Sequence, residues 1–132
     1  MQDSGRKVVV VEDDVEMNQA IVRLLKAASF YPVTYPSAEV LLEDGAEPGA
    51  GCMVFDVNLP GIGGFELRER LAARGVIPPV IFITAFDAPA VRTRAEKVGA
   101  VAYLRKPFEA RSLIEAVRDA CDASAPDAGE GT

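Results

Sequence analysis

The 132-residue chain has room for one domain with one continuous core, and its apolar runs, spread from residue 8 to residue 121, follow a globular pattern. A net charge of −6 without a concentrated basic patch excludes a nucleic-acid surface. No apolar run approaches the roughly 20 residues of a membrane span, and "MQDSGRK" lacks the h-region of a signal peptide, so the cytoplasm is the default location.

The chain has no histidine, which excludes a His-based triad, imidazole metal ligation and a phosphohistidine of its own. In chain order, "KVVVVE" is a buried strand, too apolar for a one-faced sheet and suited to a parallel sheet covered on both sides. A helix is expected from about Asp14 to Ala28, where Met17, Ala20, Ile21, Leu24, Leu25 and Ala28 recur at three-to-four spacing. "YPVTY" is a short strand, with Pro32 marking its start or a sheet edge. Ser37 is the expected N-cap of "AEVLLED" and Gly45 its stop. "GAEPGAG" is a loop by composition.

"CMVFD" is the third strand, and "GFELRERLAAR" a helix closed by Gly75. "PPVIFIT" is the fourth strand. "APAVRTRAEKV" is a helix ending at Gly99, loosely held because its apolar stripe of Val91, Ala95 and Val98 is thin. "VAYLR" is the fifth strand, and "ARSLIEAVRDAC" the last helix, with Leu113, Ile114, Val117 and Cys121 on one face. The tail from Asp122 lacks apolar periodicity and is expected to be disordered. Cys52 and Cys121, in apolar settings, are expected to be reduced core thiols. Five strand–helix repeats predict an α/β fold, an open, doubly wound (βα)5 parallel sheet.

In such sheets the functional groups gather beyond the carboxyl ends of the strands. The first strand ends in Glu12-Asp13-Asp14, the third in Asp56, the fourth in Thr84 and the fifth in Lys106-Pro107. In the common 2-1-3-4-5 order these ends share one site. Each is unremarkable alone: an acidic triplet usually caps a helix, a lone threonine is an ordinary strand residue, and a lone lysine is a solvated charge. Together, several carboxylates repel one another unless a cation sits among them. Without histidine, a hard, oxygen-loving ion is the natural guest, and Mg²⁺ fits best. Asp56 is single and central, and a carboxylate can attack phosphorus to form an aspartyl-phosphate. Lys106 would pair with one phosphoryl oxygen and the Thr84 hydroxyl would donate to another.

These residues resemble the receiver domain of bacterial two-component response regulators. "VVVVEDD", "FDVNLPGIGGFEL", "VIFITA" and "GAVAYLRKPF" stand in the family's order and spacing, and cover about residues 6 to 121. The resemblance implies a flavodoxin-like fold and a phosphoacceptor switch rather than an enzyme, one that assists only its own phosphorylation and dephosphorylation. It implies Asp56 as phosphoacceptor, Asp13 as a direct Mg²⁺ ligand (Mn²⁺ serving as well), Glu12 as its partner acting through water, and the backbone carbonyl of Asn58 as a further contact. Asp14 then caps the first helix. Thr84 matches the switch hydroxyl, Lys106 the phosphoryl-pairing lysine and Tyr103 the aromatic that changes rotamer; a half-buried strand tyrosine reads almost as well. Lys106-Pro107 is a candidate cis peptide. Glu12 departs from the commoner aspartate, which should shift the metal geometry without abolishing binding. Phe86 puts an apolar ring where it would shield an acyl phosphate.

"PSAEVLL" and "GAVAYLRKPFEARSLIEAV" look most like receivers of nitrogen-fixation-regulator-type transcription factors. The implied organisation is an N-terminal extension (1–5), a receiver (6–121), either stand-alone or part of a longer protein, and a flexible acidic tail or linker (122–132). The implied partners are a sensor histidine kinase or a histidine phosphotransfer protein, with acetyl phosphate as a small donor and the first helix as the kinase-docking face. A dimer or partner face would use the fourth helix, fifth strand and fifth helix, which carry Arg92, Arg94, Lys97, Arg105 and Arg111; no membrane or direct nucleic-acid contact is implied. The alternative weighed is a haloacid-dehalogenase-type phosphohydrolase. Its nucleophile belongs on the first strand with an acid two residues on, whereas here that position is Asn58. A flavodoxin-like FMN carrier shares the layout but needs a phosphate-cradling loop, whereas this mouth is acidic.

Overall fold

The computed structural model describes residues 6–45, 49–75 and 77–123. The N-terminal extension of residues 1–5, the middle of the "GAEPGAG" loop and the tail beyond residue 123 lie outside them. Strands and helices alternate as β1 (Lys7–Val11), α1 (Val15–Ala27), β2 (Tyr31–Tyr35), α2 (Ala38–Asp44), β3 (Cys52–Asp56), α3 (Gly64–Ala73), β4 (Val80–Thr84), α4 (Pro89–Lys97), β5 (Ala102–Arg105) and α5 (Ala110–Ala123). The sheet is parallel throughout, in the order β2-β1-β3-β4-β5, as the sequence pattern requires.

Strand periodicity divides the core into two layers. Val8, Val10, Cys52, Val54, Ile81 and Ile83 face α1 and α5, where they meet Ile21, Leu25, Leu113 and Val117. Val9, Val11, Met53, Phe55, Val80 and Phe82 face α2, α3 and α4, where they meet Leu41, Phe65, Leu67, Leu71 and Ala95. Phe82 is the aromatic hub of that second layer, edge-on to Phe55 and Phe65. Every residue of β3 and β4 is buried, the signature of central strands covered on both faces.

The helix ends follow the expected chemistry. Asp14 accepts the amides of Glu16 and Met17, and Ser37 accepts that of Val40. Gly45 ends α2 at φ +88°. The edge strand β2 tolerates Pro32 because an edge leaves amides unpaired. Several ends shift by one residue from the sequence reading, and two shift by two. β4 starts at Val80, since the prolines before it cannot donate to a ladder, and α5 continues through Asp122 to Ala123. The α4 helix buries only Ala95, in line with its thin apolar stripe. Cys52 and Cys121 are buried and not joined in a disulfide.

Gly64 opens α3 against the end of β3, and a Cβ there would sit 2.5 Å from the Asp56 carbonyl oxygen. The obstacle is backbone, which cannot rotate aside. Gly64→Ala is therefore expected to cost about 1–3 kcal/mol of stability by overpacking, despite alanine's better helix propensity. Urea denaturation checks this, and an unchanged midpoint would contradict the packing assigned to α3.

Candidate functional site

The carboxyl ends of β1, β3 and β4 are neighbours because β1 and β4 flank β3. Side-chain alternation then sorts the residues beyond them. Glu12, Asp56 and Lys106 extend the series Val8–Val10, Cys52–Val54 and Ala102–Leu104 that faces α1 and α5. Thr84 extends Val80–Phe82, on the face where Tyr103 also packs. Glu12, Asp56 and Lys106 thus share one parity, and Asp13 and the two expected switch residues the other.

Lys106 holds the charged group together. Its Nζ lies 2.8 Å from Glu12 Oε1 and donates to Asp56 Oδ2 at 3.0 Å. The Lys106–Pro107 peptide bond is cis. Asp56 Oδ1 accepts the Asn58 amide at 2.9 Å, so both oxygens of this carboxylate are oriented before any ligand arrives. Glu12 Oε2 accepts the Asp14 amide at 3.1 Å, and Asn18 Nδ2 donates to the Glu12 carbonyl. Glu12 is 1% exposed and Asp56 5%, while Asp13 faces solvent. One carboxylate oxygen from each of Glu12, Asp13 and Asp56 lies within 4.8 Å of the others.

Three carboxylates around one ammonium leave an excess of negative charge. Burial, reinforced by the charge of Asp56, pushes Glu12 up to about 7 against the opposing pull of Lys106 and the Asp14 amide. Burial works against the Lys106 charge too, but the hydrogen bonds to Glu12 and Asp56 outweigh it and hold the ammonium above its ordinary range. The donor set consists only of oxygens, carries excess negative charge and includes a carboxylate destabilised by burial. That combination fits a hard divalent cation.

Thr84 is fully buried, and its hydroxyl is already engaged. Oγ1 donates to Asn58 Oδ1 at 2.9 Å and accepts the Phe86 amide at 3.0 Å. Tyr103 is half-buried, with its hydroxyl donating to Asp87 at 3.3 Å. Asp87 also takes Arg92 in a two-pronged ion pair at 2.8–2.9 Å, and that guanidinium lies 4.9 Å from the Tyr103 ring centroid. The structure therefore brings Glu12, Asp13, Asp56 and Lys106 together, with Asn58 and Thr84 adjoining, and links Tyr103 to the loop after β4. Two participants were not visible in the sequence. Asn58 was read for its carbonyl alone, yet its side chain holds Thr84. Asp87 is a lone acid in the apolar run "AFDAPA", with no pattern to mark it.

A family model described as "Response regulator receiver domain" matches residues 8–118. Among curated proteins, Nodulation protein W of Bradyrhizobium diazoefficiens is 36% identical over 110 residues, 83% of this chain and 48% of that protein. Transcriptional regulatory protein FixJ of Azorhizobium caulinodans is 36% identical over 118 residues, 89% of this chain and 56% of that one. The chain spans about half the length of these relatives. Among solved structures, a response regulator receiver protein from Burkholderia phymatum superposes with a TM-score of 0.76 at 42% identity, covering 87% of this chain and 94% of that one. The structure titled FixJ-N superposes with a TM-score of 0.82 at 29% identity, covering 92% and 96%.

The state of Glu12 gives the site a pH signature. Its folded value of about 7 lies above the ordinary 4.5, so the folded protein holds an extra proton between those values. The stability this group contributes is complete below about 4.5 and is lost as pH rises to about 7. In the presence of chelator, Glu12→Gln should melt close to wild type at the acid end. Its advantage should grow up to neutral pH and level off above. A melting difference independent of pH would refute the burial argument.

Proposed function

The chain belongs to the response regulator receiver domain family, and from that premise we propose that Asp56 accepts a phosphoryl group from a phosphohistidine on a sensor histidine kinase or a histidine phosphotransfer protein. The observation that supports this reading best is the Lys106–Asp56 contact at 3.0 Å, beside a carboxylate trio on the strand ends. Acetyl phosphate would serve as a small donor. An Asp56 oxygen attacks phosphorus while the N–P bond of the donor breaks, and the electron pair leaves on the imidazole nitrogen, which takes up a proton. Lys106 then moves its charge from the carboxylate to a phosphoryl oxygen.

Mg²⁺, or Mn²⁺ in its place, would be held by Asp13 directly, by Asp56 and the Asn58 carbonyl, and by Glu12 through water. When bound, the ion supplies charge neutralisation at the phosphoryl oxygens. The chain's own catalysis is confined to gaining and losing its phosphoryl group. The haloacid-dehalogenase reading finds no support, since the acceptor candidate lies on β3 and Asn58 offers no acid/base group.

In this reading residues 6–121 are the receiver unit. Thr84 leaves Asn58 to donate to the phosphoryl group and draws the loop carrying Phe86 with it. Asp87 passes the movement to Arg92 on α4 and to Tyr103 on β5, so the α4–β5–α5 face changes for a partner or a second copy. Arg92 pairs with Asp87 and Arg94 lies over the Phe65 ring, both still exposed, and Lys97, Arg105 and Arg111 are further exposed cations of that face. The kinase would approach from α1, where a groove of about 500 Å³ is lined by Glu12, Asp13, Val15, Asn18 and Pro36. No helix among the described residues is long and apolar enough to cross a membrane, and a cytoplasmic kinase domain is the donor this reading calls for.

Incubation with acetyl phosphate and Mg²⁺ should add the mass of one phosphoryl group, and Asp56→Asn should remove it. An adduct that survives Asp56→Asn would overturn the assignment. Phe86, 66% exposed next to Thr84, is assigned the shielding of the acyl phosphate from water. Phe86→Glu should shorten the phosphoryl lifetime several-fold, and an unchanged lifetime would remove Phe86 from that role.

A further inference from the structure

The segment "PSAEVLL" carries a glutamate whose position suggests nothing beyond helix electrostatics. Glu39 lies in the first turn of α2, where an acid ordinarily serves the helix dipole. Its carboxylate does something else. Oε2 accepts the main-chain amide of Ile62 at 2.9 Å, across 23 residues, in the loop between β3 and α3. That hydrogen bond is the first cause holding the Glu39 carboxyl below its ordinary range. The loop's backbone is shaped to receive it. Gly61 sits at φ +75°, and a Cβ at that position would run into Glu39 Oε2.

This loop carries the machinery just described. At its start Asn58 orients Asp56 with its amide and holds Thr84 with its side chain. At its end the Gly64 amide returns to the Val57 carbonyl at 3.1 Å. Between them Leu59 is sunk into the core, whereas Pro60 and Gly61 are exposed. The Glu39 carboxylate therefore supplies a side-chain anchor from outside the loop to its exposed turn. The element that supplies it is itself tied down, with Tyr35 donating to Asp44 at 2.7 Å and Arg74 to the Leu42 carbonyl at 3.1 Å.

We propose that Glu39 is a positioning residue for phosphoryl acceptance, anchoring the β3–α3 loop through Ile62 so that the Asn58 backbone is held in place for the cation and for Asp56. The proposal rests on the receiver reading. It acts through hydrogen-bond acceptance at a fixed reach, so neither charge alone nor helix capping substitutes for it.

Three variants of the full chain test this. Glu39→Met keeps the bulk without an acceptor, Glu39→Asp keeps the charge but falls short by one methylene, and Glu39→Gln keeps both acceptor and length. In the metal-free protein, exchange of the Ile62 amide should accelerate about 10-fold in the Met and Asp variants and stay near wild type in Gln. The Mg²⁺ concentration giving half the calorimetric binding signal, and half-maximal phosphorylation from acetyl phosphate, should rise about 3- to 10-fold in Met and Asp. Glu39→Gln should restore both. Met or Asp variants matching wild type in Mg²⁺ dependence, with Asp56 still phosphorylated, would overturn the proposal, as would failure of Gln to rescue. Loss of phosphorylation at Asp56 in wild type would instead overturn the receiver reading, and this inference with it. Should the Met variant fail to fold, the Asp variant carries the same test.

Discussion

The site depends on a single ammonium placed between two buried carboxylates. Lys106 reaches Glu12 and Asp56 from the end of β5, and without it two nearly fully buried acids would face each other. Removing one partner from such a group leaves uncompensated buried charge, which costs far more than the group contributes when complete. The arrangement is nevertheless undercompensated, because Asp13 adds a third carboxylate and, among the described residues, only Lys106 is seen to pair with the trio. A neutral cluster would bind nothing. This one is short of positive charge, which is the condition for the divalent ion proposed above.

The division of the sheet into two faces gives that charge cluster its reach. Glu12, Asp56 and Lys106 continue the face covered by α1 and α5, and Thr84 and Tyr103 that covered by α2, α3 and α4. Asn58 spans the two, with its amide on Asp56 and its side-chain oxygen on Thr84. A change at Asp56 is therefore one residue away from the opposite layer, with no long relay through the core.

Much of this was legible in the sequence because strands announce themselves. Four apolar runs stop abruptly at Glu12, Asp56, Thr84 and Lys106, and a parallel sheet must bring such ends to one edge. Period-two alternation also fixes which ends share a face. What stayed hidden was every contact between loops distant in sequence. Thr84 and Asn58 are 26 residues apart, and Glu39 and Ile62 are 23 apart. No periodicity links polar residues across such gaps, because their pairing depends on the path of the turns between them. Arg92 and Arg94 keep about half of their side chains exposed, yet each makes a contact that the sequence does not announce. In the fold Arg92 is committed to Asp87, and Arg94 lies over the Phe65 ring.

The lightly anchored α4 helix bears on how strong a signal must be. Only Ala95 is buried, and the ion pair to Asp87 is open to solvent on the arginine side. Inverting a two-state equilibrium from 1:99 to 99:1 takes about 5.5 kcal/mol of differential binding. One covalent phosphoryl group, making a few new charge-assisted hydrogen bonds, supplies energy of that order. A helix locked by a full stripe of leucines would resist such a stimulus. One held by Ala95, with Val91 and Val98 only partly buried against the core, offers less resistance. In the receiver reading proposed above, surface substitutions on α4 alone would shift its set point, so that closely similar chemistry at Asp56 would drive outputs of different sensitivity.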